Sequence, residues 1–188
     1  MTIDGVMTHE KYIADTLHQG YLAVLRTDTL YGVVALADDA AAVRQLQKVR
    51  RRDPGKAFIL LIADVSMAYG VDSMSVERAY SLASTTRQAT SVIVKQSSAP
   101  EYLLHNDGSV AYRVPNDPRI QSLLKHTGPL VAPSANPAGL TPARSIDEAR
   151  SYFGTDVHLY VDDGETPVDQ QASSVILVDE AGTITKIR

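Results

Sequence analysis

The segment Tyr21–Leu36, YLAVLRTDTLYGVVAL, places a polar loop between two apolar runs. Residues 21–25 predict a short buried strand, and residues 31–36 predict a second strand or a tight bend. Strand ends that open into a polar loop are where α/β sheets commonly place ligands. The loop around Thr27 and Asp28 is therefore a candidate binding site, with a plain turn stabilised by hydroxyl groups as the alternative.

Helices and strands alternate along the rest of the chain. Apolar periodicity and capping residues predict helices at Thr8–Gln19, Ala40–Arg51, Ser75–Thr86, Pro118–Thr127 and Ile146–Phe153. Apolar or alternating runs predict strands at Ala57–Ile62, Ser91–Lys95, Val110–Val114, Pro129–Ala132 and His158–Val161, and a hairpin from Ser174–Asp179 to Thr183–Ile187. This order predicts an α/β fold on a mixed, twisted sheet, in a single domain spanning residues 1–188.

Composition excludes several classes of function. The 188 residues include 18 Lys and Arg against 22 Asp and Glu, a net charge of −4, which argues against broad coating of nucleic acid. The absence of Cys excludes disulfides, thiolate nucleophiles and Cys-based metal sites. No apolar run approaches the length of a membrane span, and the first residues lack the apolar core of a signal peptide. These features predict a cytoplasmic protein.

Five cations lie close together between Lys48 and Lys56, namely Lys48, Arg50, Arg51, Arg52 and Lys56. Arginine side chains bind phosphate through paired hydrogen bonds, so the cluster favours a phosphate or RNA ligand. The alternative is a solvated helix end, where cations complement the helix dipole without any ligand.

A second polar cluster, Pro133-Ser-Ala-Asn136, follows a predicted strand and precedes Gly139 and Arg144. It could form a small polar pocket or a plain turn. The sequence has no phosphate-binding loop, dinucleotide fingerprint, zinc-protease motif or nucleophile elbow. The five His are scattered without ligand spacing, so they are expected to be structural or surface residues, and no metal site is predicted.

Taken in order, these segments resemble the YrdC family of L-threonylcarbamoyl-AMP synthases. The matching segments are Thr27-Asp-Thr-Leu-Tyr-Gly32, the basic helix end, Arg113-Val-Pro115, Pro133–Asn136, Ser173-Ser-Val175 and the final Arg188. No single motif is specific, but their ordered combination covers nearly the whole chain. The resemblance implies an open twisted mixed sheet flanked by helices, with a basic cavity on its concave face.

The resemblance also implies roles for individual residues. Arg50 and Arg52 would be catalytic. The residues expected to bind threonine are Thr27, Tyr31, Arg113, Ser134 and Ser174. The residues expected to bind the nucleotide are Arg50, Arg52, Lys56, Asn136, Arg144 and Arg188.

The chain departs from the family pattern at several positions. Arg50 stands in the position of the family's lysine, unless Lys48 and Arg50 are taken as the lysine–arginine pair. Arg26 replaces a proline before the TDT segment, and residues 87–94 differ from the usual stretch. These differences leave open a non-catalytic paralogue that binds RNA or nucleotide.

The activity implied by the resemblance is the synthesis of threonylcarbamoyl-AMP and pyrophosphate from L-threonine, bicarbonate and ATP, with Mg²⁺ accompanying ATP. Transfer to tRNA by partner proteins would follow, so tRNA and those proteins are expected partners. Such chemistry needs positioning and cations more than a covalent nucleophile. A third possibility, a nucleotide-binding or hydrolytic enzyme of another type, has no motif to support it.

Overall fold

The computed structural model describes residues 9–51, 58–69, 77, 89–95, 98–179 and 183–187. Its α-helices are α1 (His9–His18), α2 (Ala40–Val49), α3 (Pro118–Thr127) and α4 (Ile146–Phe153), with short 3₁₀ turns at Val65–Met67, Glu101–Leu103 and Gly154–Asp156. Its strands are β1 (Ala23–Arg26), β2 (Tyr31–Leu36), β3 (Ile59–Leu61), β4 (Thr90–Lys95), β5 (Ser109–Arg113), β6 (Leu130–Val131), β7 (Leu159–Tyr160), β8 (Ser174–Val178) and β9 (Ile184–Lys186). The predicted helix at Ser75–Thr86 lies outside the described residues, apart from Glu77.

The nine strands form one open mixed sheet in the order β7-β1-β2-β6-β3-β5-β4-β8-β9. The parallel pairs are β1 with β7, β3 with β5, and β4 with β8, and the other neighbours are antiparallel. The predicted α/β class with a mixed sheet is confirmed. The second run of the opening segment is a strand and not a bend, since β1 and β2 pair antiparallel from Ala23↔Val34 to Arg26↔Tyr31.

The helix boundaries follow from local capping chemistry. The carboxylate of Asp39 accepts hydrogen bonds from the backbone N–H groups of Ala41 and Ala42 at the start of α2. Asp117 caps α3 in the same way, with Pro118 in the first turn, where a missing N–H costs nothing. Ser145 caps α4, and Gly154 ends it. No helix in the described ranges has both the length and the apolar character needed to cross a membrane.

Helices cover both faces of the sheet. Alternate residues of β1 and β2 point to opposite sides: Val24 and Val33 pack in the cluster that contains α2 and α4, whereas Ala23, Leu25 and Val34 pack with α1 and α3. The apolar residues of α1 are not all buried. Tyr12 is 46% exposed, and the buried residues are Ile13, Ala14, Thr16 and Leu17.

A row of neighbouring residues on β3, β5 and β4 forms the floor of a cavity. Ala111 of β5 lies beside Ile59 of β3 on one side and beside Ile93 of β4 on the other. All three residues line the same open cavity. The sheet therefore forms an apolar floor, and polar side chains line the cavity at both ends of this floor.

Candidate functional site

The loop between β1 and β2 is organised around the hydroxyl of Thr27. This hydroxyl donates a hydrogen bond to the carbonyl of Leu30 at 2.9 Å and accepts one from the backbone N–H of Thr29 at 3.2 Å. It also accepts one from the guanidinium of Arg113 at 3.3 Å. Thr27 is buried, so its hydroxyl is held by polar groups of the loop and by Arg113.

Arg113, at the end of β5, forms a buried ion pair with Asp28 of the same loop. The Nη2 to Oδ1 distance is 3.0 Å, and the two side chains are only 6% and 5% exposed. Burial raises the pKa of Asp28, and the positive charge of Arg113 acts in the opposite direction. The pair ties the first strand loop to the centre of the sheet.

Arg50 directly follows α2 and reaches the Pro133–Asn136 loop. Its Nε donates to the carbonyl of Asn136 at 3.0 Å, and its Nη2 donates to Asn136 Oδ1 at 3.2 Å and to Ser134 Oγ at 3.3 Å. Arg50 is 5% exposed, whereas Lys48 is exposed on the helix surface. Arg50 therefore lies beside the Ser-Ala-Asn segment and Lys48 does not, but Arg50 belongs to both alignments and Arg52 lies outside the described residues, so both alignments stay open.

The Pro133–Asn136 loop is itself docked on β2. Gly32 forms a bridge with Ser134, and the backbone N–H of Val33 donates to the carbonyl of Pro133 at 3.0 Å. A Cβ atom at Gly32 would lie 3.2 Å from that carbonyl oxygen, so this close approach favours glycine. The loop and β2 are therefore joined by backbone hydrogen bonds and together form one wall of a cavity.

The side chain of Asn136 forms hydrogen bonds with nearby residues of its own segment and with Arg50. Its amide donates to the carbonyls of Leu140 at 2.7 Å and Pro137 at 3.1 Å, and its Oδ1 accepts from Ser134 Oγ at 2.7 Å and from Arg50. Asn136 does not line the cavity, whereas Ser134 does. Its contacts make it a residue that positions Ser134 and Arg50.

These walls enclose a cavity of about 530 Å³. Its inner end is lined by Thr27, Arg50, Arg113 and Ser134, and its apolar middle by Phe58, Ile59, Ile93 and Ala111. Its outer rim consists of His105, Asp107 and Ser109. A size of several hundred Å³ with an apolar floor and few convergent polar groups is typical of small-molecule sites.

Two further predicted residues make contacts away from the cavity. The ring of Tyr31 lines the cavity, but its hydroxyl donates to the carbonyl of Gly164 at 2.8 Å and accepts from the N–H of Asp163 at 3.0 Å. Arg144 donates to the carbonyl of Thr166 at 2.8 Å and does not line the cavity. Both side chains hold the 163–166 segment against the body of the protein.

Ser174, predicted to bind threonine, does not line the cavity, and its role stays a prediction. Side chains alternate along β8, and Ser173 and Val175 line the cavity whereas Ser174 does not. Ser173 is buried and lies 2.9 Å from Ser91 between their hydroxyl oxygens. The remaining predicted site residues, Arg52, Lys56 and Arg188, lie outside the described residues, so the basic character of the cavity stays a prediction.

Sequence analysis missed the outer rim. His105, expected to be a structural or surface residue, and Asp107, for which nothing was predicted, precede β5 and line the cavity. One signal was available in the sequence. Ser109 and Ala111 alternate with Arg113 along β5, so both share a face of the strand with Arg113.

Comparison with known proteins identifies the family. A family model named for Sua5, YciO and YrdC, and described as "Telomere recombination", matches residues 15–188. A protein of Mycobacterium tuberculosis named putative threonylcarbamoyl-AMP synthase is 32% identical over 177 residues, which are 89% of this chain and 77% of that relative. The threonylcarbamoyl-AMP synthase of Serratia proteamaculans is 33% identical over 147 residues, 76% of this chain and 78% of its own length.

Solved structures agree with this result. Sua5 of P. abyssi complexed with L-threonine has a TM-score of 0.82 at 25% identity, covering 95% of this chain and 53% of that one. YciO of E. coli shares the fold, with a TM-score of 0.79 at 22% identity over 95% of this chain and 87% of its own. The chain spans about half the length of the Sua5 structure that it matches. With the family model matching from residue 15 onward and curated relatives above 30% identity, this chain belongs to the Sua5/YciO/YrdC family.

Proposed function

We propose that this protein is an L-threonylcarbamoyladenylate synthase, which forms threonylcarbamoyl-AMP and pyrophosphate from L-threonine, bicarbonate and ATP. The observation that carries the proposal is the inner end of the cavity, where Thr27, Arg50, Arg113 and Ser134 meet from four separate segments. Two curated relatives carry the name of this enzyme, and one related structure holds L-threonine.

In the proposed reaction, the amino group of threonine and bicarbonate form a carbamate, with loss of water. A carbamate oxygen then attacks the α-phosphorus of ATP, and pyrophosphate leaves with the electrons of the broken P–O bond. Negative charge is concentrated around the phosphates throughout, so buried cations stabilise the transition state more effectively than they would in water.

The residues of the inner end fit separate tasks in this reaction. Arg50 is held by Ser134 and Asn136 and carries its charge to the cavity wall, where it would neutralise a phosphate. Arg113 and Thr27 would bind the amino acid, Arg113 facing its carboxylate. Fixed geometry is an advantage here, because the side chains need no reorganisation when charge develops.

Arg52, Lys56 and Arg188 remain part of the proposal as further contacts to the nucleotide, and Arg144 as a residue near it. Mg²⁺ would enter with ATP. Within the described residues no group of three or more His, Asp or Glu could hold a metal ion, which fits a cation that is bound chiefly through triphosphate oxygens. Such an ion would supply charge neutralisation on the phosphates. tRNA and the proteins that transfer the threonylcarbamoyl group are proposed as downstream partners, in the cytoplasm.

The test is an assay of pyrophosphate release with Mg²⁺, ATP, L-threonine and bicarbonate, with the product identified by mass. Omission of either threonine or bicarbonate should abolish release. Arg50→Ala should abolish turnover, whereas the matched control Lys48→Ala, an exposed cation on the same helix, should retain it. Pyrophosphate release that is indifferent to threonine would contradict the proposal.

A further inference from the structure

We propose that His105, held by Asp107 at the outer rim, binds the nucleobase of the nucleotide and selects a purine that carries an amine at C6. The inference rests on the proposed function, because it takes ATP as the occupant of the cavity. Neither residue belongs to the motifs that identify the family, so their role has to be derived from the rim itself.

The outer rim is a turn that its own hydrogen bonds hold in place. Asp107 Oδ1 lies 2.9 Å from His105 Nδ1, and it accepts from the hydroxyl of Ser109 at 2.6 Å and from its backbone N–H at 3.1 Å. The backbone N–H of His105 donates to the carbonyl of Ser109 at 2.8 Å, and the N–H of Gly108 donates to the carbonyl of His105 at 2.9 Å. The imidazole is thus oriented before any ligand arrives, which lowers the cost of binding.

The hydrogen bonds also determine which atoms the rim offers to a ligand. Hydrogen bonds from Ser109 and His105 lower the pKa of Asp107 to about 2, so the carboxylate is ionised at neutral pH and can only accept. Because the carboxylate only accepts, the proton of the bond between the two side chains lies on His105 Nδ1, and Nε2 of this tautomer is an acceptor. A rim of acceptors and negative charge suits an N–H donor and repels phosphate.

The cavity has the same order of chemistry as a nucleotide. Arg113, Ala111 and Ser109 alternate along β5 and face the cavity, so the inner end and the outer rim are separated by about 13 Å at ~3.3 Å per residue. The apolar row of Ile59, Ala111 and Ile93 lies between them. From the inner end outward, the cavity offers cations, then an apolar floor, then hydrogen-bond acceptors. ATP has phosphates, then rings, then an amine in the same order.

The opposite orientation is disfavoured by charge. It would bring the triphosphate against the Asp107 carboxylate and remove it from Arg50. The outer rim therefore fixes the direction of the nucleotide as well as the identity of its base. A guanine or hypoxanthine ring presents a carbonyl at the position of the adenine amine, and that carbonyl would meet an acceptor.

The experiment measures calorimetric affinities of ATP and inosine triphosphate, which has a carbonyl in place of the amine. The proteins compared are the wild type, His105→Ala and the control His9→Ala, an exposed histidine on α1 outside the cavity. We expect the wild type to prefer ATP. His105→Ala should weaken ATP binding about three- to tenfold, the loss of one hydrogen bond, and leave inosine triphosphate unchanged, so that the preference disappears. His9→Ala should alter neither affinity.

The His105 side chain is 42% exposed, so its removal leaves the core intact, and an unchanged melting temperature confirms this. Wild-type ATP binding with an unchanged preference in His105→Ala would overturn the inference alone. An equal loss for both nucleotides that is absent with 2′-deoxy-ATP would assign His105 to the ribose and overturn the base assignment. A wild-type protein that binds no ATP would overturn the proposed function, and this inference with it.

Discussion

The inner end of the cavity draws its four side chains from four separate segments of the chain, whereas the outer rim comes from the single turn His105–Ser109. The polar groups of the inner end are buried and bonded to one another, so they contribute to the fold and to the proposed chemistry together. The side chains of His105 and Asp107 are 42% and 62% exposed. Substitutions at the inner end should therefore change both stability and activity. Substitutions at the outer rim should change nucleotide binding with little effect on stability.

The largest effect is expected from Arg113→Ala. It leaves the Asp28 carboxylate buried without its partner, which costs about 3–5 kcal/mol of unfolding free energy at neutral pH. The pKa of Asp28, already raised by burial, should rise further. Because a raised carboxyl pKa favours the protonated folded state, the deficit should be small at about pH 4 and grow as the pH rises through the folded pKa.

Urea unfolding at the two pH values measures this deficit, and the double variant with Asp28→Asn is its control. Removing both charges should recover much of the lost stability, because no buried charge is left uncompensated. If the double variant is no more stable than Arg113→Ala, the ion pair is not the cause of the loss.

The next largest effect is expected from Asn136→Ala. The substitution removes two donated bonds, to Pro137 and Leu140, and two accepted ones, from Ser134 and Arg50. We expect a loss of about 2 kcal/mol of stability and, because Arg50 loses a partner, weaker ATP binding by roughly tenfold. Thermal melting and calorimetric titration on the same sample measure both, and an unchanged melting temperature would show that Asn136 does not join the inner end to the fold.

Arg50→Lys is expected to have a smaller effect and tests the departure from the family pattern. Lysine keeps the charge but cannot reproduce the paired bonds to Asn136, so stability should fall by about 1 kcal/mol while turnover survives. Loss of turnover with an intact fold would show that the planar guanidinium itself is required.

The smallest effect is expected from Asp107→Asn at the outer rim. Since the pKa of Asp107 is lowered to about 2 in the folded protein, its contribution is present above the unfolded value and disappears as the pH falls toward 2. Solvent screens this exposed group, so the difference from the wild type should stay below about 0.5 kcal/mol at pH 5. A loss as large as that of Asn136→Ala would remove the contrast between the two regions.

Most of the fold could be predicted because its signals are local. The bounds of α3 and α4 were predicted to the residue, since Asp117-Pro118 and Ser145 cap these helices and Gly154 ends one of them. The bounds of β2 were also correct, since its apolar run lies between the polar residues 26–29 and the two aspartates at 38–39.

The site was less predictable because its contacts are distant in sequence. Nothing local shows that Arg113 pairs with Asp28, or that Arg50 reaches Asn136. Neighbouring residues of a strand face opposite sides, so sequence alone did not show that Ser173, and not Ser174, lines the cavity. The expectation that Arg50 and Ser134 share one site came from the resemblance and from no local pattern, and their roles in that site stay predictions.

The strand order has a consequence for how the protein matures on the ribosome. β7 adds to the edge of β1 and β8 adds to the edge of β4, although both are synthesised long after their partners. Until residues 159–178 emerge, the nascent chain therefore carries two unpaired sheet edges and a cavity that lacks Ser173 and Val175, the state most exposed to aggregation. Nucleotide should be unable to hasten folding of such a chain, and protection by chaperones should matter most in that interval of translation.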